Sequence, residues 1–112
     1  MQIFYVTLNT IEEARQISHK LLEQKLALCT NWFPITCAYR WEEEIKEEPE
    51  VVLIIKTQLR YRKDIEQTIN EQINYTNCIA EISVHSVNEN FLKWLNTEIP
   101  QRPSKRALIK RC

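Results

Sequence analysis

The chain has 112 residues, 44% hydrophobic and 27% charged, with 15 basic residues against 15 acidic. That length buries one core without disulfide help, and the charge balance gives no electrostatic reason to expect specific nucleic-acid or membrane binding. Glycine is absent altogether, which excludes the Walker loop, the dinucleotide fingerprint and the nucleophile elbow, since each needs glycine where backbone meets phosphate or turns sharply.

In chain order, Gln2 to Thr7 (QIFYVT) is β-branched and aromatic and reads as a buried strand. Its flank MQIFYVTLNT lacks the basic region and cleavage site of a signal peptide, and no apolar run approaches the ~20 residues that span a bilayer. A cytoplasmic location is the expectation, with the four cysteines reduced rather than paired. Thr10-Ile11-Glu12-Glu13 is a capping box, and Ala14, Ile17, Leu21 and Leu22 follow at helical spacing to about Lys25. Leu28 to Trp41 alternates as a second strand, Glu42 to Pro49 reads as an acidic turn, and Val51 to Thr57 (VVLIIKT) is the strongest strand signal. A second helix is expected over Tyr61 to Ile73 and a fourth strand over Cys78 to Val84. Ser86-Val87-Asn88-Glu89 then opens a short helix with Phe91, Leu92, Leu95 and Ile99 on its stripe, ended by Pro100 and Pro103. The order predicts an α+β, ferredoxin-like βαββαβ sandwich over residues 1–101, with a basic C-terminal tail over 102–112.

The run LALCTNWFPITCAYRW (26–41) carries two thiols and four large aromatics. In an extended strand Cys29 and Cys37 stand ~26 Å apart, too far to share a metal or a disulfide. The odd positions from Cys29 to Trp41 share one face, barring a bulge at Pro34, so the run is sheet rather than motif. Its length is informative. A strand of this size spans roughly 46 Å, whereas the first helix covers only ~22 Å of sheet. The half with Tyr39 and Trp41 therefore projects beyond its helices, and an exposed apolar hairpin calls for a partner. An obligate oligomer with intersubunit sheet contacts is the expectation.

Four segments now carry a resemblance: Leu21 to Asn31 (LLEQKLALCTN), Tyr39 to Ile45 (YRWEEEI), Ile54 to Thr57 (IIKT) and Asn88 to Leu95 (NENFLKWL). In order and register from about Gln2 to Ile99, they resemble the CutA divalent-ion tolerance family. The resemblance implies a ferredoxin-like homotrimer, similar in architecture to the PII signalling proteins, that is tied to copper or another divalent cation and has no established reaction. On that reading Tyr39, Trp41, Ile45 and Val51 are trimer contacts. This sequence departs from the family at Glu43, where glycine is usual, and at Ile73-Asn74-Tyr75-Thr76, where His-Pro-Tyr-Glu is usual. The family histidine proposed as a ligand is thus missing, and Val6 stands where some members carry a strand-one cysteine.

Cys29 matches a position that is commonly cysteine in the family. It reads either as a small buried hydrophobe or as a soft copper ligand with its symmetry copies. Cys37 and Cys78 carry the same two readings without family support, and Cys112 reads as an adventitious thiol. Lys56, a cation inside VVLIIKT, has two readings. It is either bonded structurally, or it faces an intersubunit cleft with Asn31, Tyr39 and Trp41 where a small anion sits. His19 and His85 read as solvated, Glu42 to Glu50 as a solvated hairpin tip, and Trp94 as core. The expectation is a non-enzymatic, copper- or divalent-cation-handling homotrimer; the alternative is a PII-like module binding a small molecule in intersubunit clefts.

Overall fold

The computed structural model describes residues 1–104. Residues 105–112, most of the basic tail including Cys112, lie outside them. The order is β1 (Gln2–Leu8), α1 (Ile11–Glu23), β2 (Cys29–Trp41), β3 (Glu44–Thr57), α2 (Arg62–Asn70), β4 (Ile79–Ser83) and α3 (Glu89–Glu98). One antiparallel sheet in the order β2-β3-β1-β4 has α1 and α2 on one face, which is the expected ferredoxin-like plan with long second and third strands and a terminal helix.

Alternation sorts the sheet. Phe4, Val6 and Leu8 of β1 lie opposite Ile55, Leu53 and Val51 of β3, and these six pack with Ala14, Ile17 and Leu21 of α1 and Ile65 and Ile69 of α2. The capping box is formed as expected: the Glu13 amide donates to the Thr10 hydroxyl, and the Glu13 carboxylate accepts from the Thr10 amide, each at 3.1 Å. With no glycine, four other residues take the left-handed backbone: Lys25 behind α1, Glu42 and Glu43 at the hairpin, and Arg60 before α2.

Several expectations are corrected. The acidic turn over Glu42 to Pro49 shrinks to Glu42 and Glu43, and Glu44 to Glu50 are strand, in unbroken register with Ile35 to Trp41. β-rich Ile35, Thr36, Tyr39 and Trp41 template this stretch, and its charges are tolerated because both faces lie beyond the helices. Pro34 causes no bulge, as β2 is an edge strand. The second helix ends at Asn70 rather than Ile73, since Ile73 packs on the core from the following loop; its apolar spacing reflected burial and not helix. The fourth strand is shorter than Cys78 to Val84. The box at Ser86 does not form: α3 starts at Glu89, and its N-cap Asn88 makes no side-chain cap bond. Trp94, expected in the core, is 48% exposed because Leu95 and Ile99 take the inward stripe.

Candidate functional site

The register that builds the core also defines the opposite sheet face. Ile3 of β1, Cys29, Asn31 and Phe33 of β2, and Ile54 and Lys56 of β3 share it, with Ile82 of β4 beside Ile3. Neither α1 nor α2 covers this face, and Phe33 and Ile82 are 45% and 49% exposed. α3 reaches only one end, where the Lys56 ammonium stands 5.7 Å from the centre of the Phe91 ring. The Lys56 cation lies half-buried against an aromatic face, beside Cys29 across the ladder.

Beyond Leu8, which pairs with Val51, β1 ends and the hairpin continues alone. Ile35 to Glu50 form a two-stranded arm, and the described chain measures 53 × 31 × 26 Å. An isolated two-stranded ribbon is marginal in water. The arm nevertheless ends in Trp41 at 55% exposure and Ile45 at 74%. By alternation these two point to opposite faces, so an apolar tip is presented on both sides. Along the face shared with Cys29, Cys37 and Tyr39 lie opposite Glu48 and Lys46, with Glu50 next along. Burial and the Glu50 carboxylate beside it push the Cys37 thiol up, and hydrogen bonding to Glu48 pushes the Tyr39 phenol up. Both groups therefore stay protonated at neutral pH.

The candidate residues fall into two groups. Asn31, Lys56 and Cys29 are neighbours at the sandwich end of the hairpin, whereas Tyr39 and Trp41 lie along the arm, eight to ten residues and thus ~26–33 Å from Asn31. One protomer does not bring Asn31, Tyr39, Trp41 and Lys56 into a single cleft. Val51 is buried in the protomer core at 4% exposure, at the root of the arm. Burial raises the Cys29 thiol, and the Lys56 cation opposes that rise only in part.

The donor set of one protomer does not fit a metal ion. Among the described residues no three histidine, cysteine or acidic side chains converge, and Cys29 has an ammonium, not a second donor, beside it. His19 on α1 and His85 in the loop after β4 are exposed and far apart in the chain. Tyr75 is bonded within the protomer. Its hydroxyl donates to Glu13 at 2.8 Å and accepts from the Asn9 amide at 3.0 Å, tying the loop before β4 to the start of α1. Burial, then that carboxylate, pushes its phenol up to about 12. Sequence reasoning left Tyr75 without a role; its partner Glu13 was visible only as a cap. Phe91 was assigned to the helix stripe, and nothing in the sequence announced its contact with Lys56.

A family profile described as CutA1 divalent ion tolerance protein matches residues 2–98. A divalent-cation tolerance protein CutA of Archaeoglobus fulgidus is 33% identical over 96 residues, covering 85% of this chain and 94% of that one. A Xenopus laevis protein CutA homolog is 31% identical, with 87% and 66% covered. Among solved structures, that of a protein described as the periplasmic divalent cation tolerance protein CutA from Archaeoglobus fulgidus superposes with a TM-score of 0.83 at 33% identity, over 88% of this chain and 98% of that one. CutA1 from Pyrococcus horikoshii gives 0.81 at 34% identity over the same shares.

Proposed function

The chain belongs to the CutA1 divalent ion tolerance protein family, and on that premise we propose that it serves divalent-cation tolerance as a non-enzymatic, cytoplasmic homotrimer. The observation that carries this reading is the arm of residues 35–50, which projects beyond every helix with Trp41 and Ile45 bare at its tip. Exposed apolar surface of this kind marks an interaction site. A second copy of the same chain satisfies it: the arm of one protomer lies on the open sheet face of the next, Tyr39 and Trp41 make that contact, Ile45 on the arm's other face meets the third copy, and Val51 anchors the arm root. Closing such a head-to-tail contact after three copies gives a ring with no open end. The three thiols Cys29, Cys37 and Cys78 are free, in keeping with a reducing cytoplasm.

The divalent cation, copper in the finer form of the proposal, is carried by the assembly and not by the protomer. Cys29 lies on the face that assembly covers, so copies of this soft donor from neighbouring chains are the donors this chain can offer a thiophilic ion. Native mass spectrometry of the reduced protein with equimolar copper tests this. A trimer that retains copper, and loses it on Cys29→Ser, is the expected result. A trimer that binds no copper contradicts the metal assignment and leaves the PII-like alternative, favoured by Lys56 and Asn31 sharing that face, in which a small anion occupies the intersubunit cleft.

A further inference from the structure

A cleft lies at the opposite end of the molecule from the arm tip. It measures about 690 Å³ and is walled by Met1, Gln58, Leu59, Arg60, Gln101 and Arg102, with Gln2, Pro103 and Ser104 completing it. Its two walls are held together by a reciprocal exchange: the Arg60 guanidinium donates to the Arg102 carbonyl at 2.8 Å, and the Arg102 guanidinium donates to the Arg60 carbonyl at 3.2 Å. Arg102 is fixed further, since it lies over the Tyr61 ring at 3.7 Å and pairs with Asp64 at 2.7 Å. Tyr61 in turn donates to the Pro100 carbonyl, so the segment after α3 is strapped to the start of α2.

Arg60 and Arg102 both line this cleft, Asp64 pairs with Arg102 from outside it, and no acidic residue is among those lining the cleft. The sequence continues past Ser104 with Lys105, Arg106, Lys110 and Arg111. Two cations on a cleft wall that carries no carboxylate leave positive potential there, which an anion offsets. Guanidinium forks match phosphate oxygens in pairs, and the volume lies in the range of small-molecule sites. We propose that this cleft is a binding site for a small phosphate-bearing anion, contacted by Arg60 and Arg102, with Gln101 at its rim. The site goes beyond the cation-tolerance reading and is independent of the arm.

Inorganic tripolyphosphate, titrated into the full chain at constant ionic strength by calorimetry, tests it. Saturable binding of one anion per chain is expected, weakened at least tenfold by Gln101→Glu with the unfolding temperature unchanged. It is weakened likewise by Arg60→Gln, whose lost bond to the Arg102 carbonyl lowers the unfolding temperature but leaves the chain folded at the assay temperature. Arg40→Gln on the distant arm is expected to leave the affinity as it was. Absence of saturable binding overturns the proposal, and so does an equal loss in Arg40→Gln, which would mean that the anion answers only to diffuse charge.

Discussion

The β2–β3 ladder runs without a break from Cys29 opposite Lys56 to Trp41 opposite Glu44, yet its two halves live in different surroundings. In the sandwich half, Leu53 and Ile55 are fully buried beneath α1 and α2, and β1 shields the far edge of β3. In the arm half, the same backbone pairing carries Glu44, Glu47, Glu48 and Pro49, and no third strand among the described residues pairs with it. Hydrogen bonding is therefore not what separates a stable half from an unsupported one. Burial separates them, and the arm lacks its share within one chain.

Substitutions break the comparison from each side. Leu53→Ala removes a fully buried side chain from the sandwich half, and is expected to destabilise the fold by ~2–5 kcal/mol in denaturant unfolding. Trp41→Glu, paired with Ile45→Glu, puts charge on both faces of the arm tip instead. There the expected result is dissociation to monomer at micromolar concentration with the circular dichroism of the sandwich retained, since neither residue touches the core. If Trp41→Glu unfolded the chain as Leu53→Ala does, the two halves would not be separable.

Tyr75→Phe probes the loop that pins α1 and is expected to cost about 1–2 kcal/mol through its lost bond to Glu13. It carries a pH signature as well. The folded-state phenol titrates at about 12, above the usual tyrosine value of 10. Folding therefore favours the protonated form, so this stability is present in full below pH 10 and is lost as pH rises from 10 towards 12. Tyr75→Phe should flatten the alkaline decline in that window, measured as unfolding midpoint against pH. The smallest effect belongs to the tip. Glu43 holds φ at 69° where glycine is at ease, so Glu43→Gly should stabilise the hairpin by ~1 kcal/mol and leave the oligomer unchanged.

Much of this was legible from the residues because local and global signals agree. VVLIIKT could only be a central strand, and Thr10 with Glu13 could only open a helix. The alternation from Cys29 to Trp41 gave the shared face correctly, Pro34 included, and its length gave the arm. Legibility failed where tertiary contact overrode pattern. Glu44 to Glu50 look like a solvated turn because strand propensity is low there, and only the partner strand makes them sheet. Ile73 continued a helical spacing that its loop position satisfies by packing alone. Trp94 is apolar yet faces out, since one residue further along Leu95 fills the core. The site was harder still. A strand shows which residues share a face and how far apart they stand, but not that Phe91 from a distant helix meets Lys56 on that face.

Sedimentation velocity of the reduced full-length protein, across a hundredfold dilution, tests the central claim that the arm is an intersubunit element. A single species at three times the chain mass, persisting on dilution and lost in Trp41→Glu, is the predicted result. A species at one chain mass throughout, with the arm still folded, would contradict it.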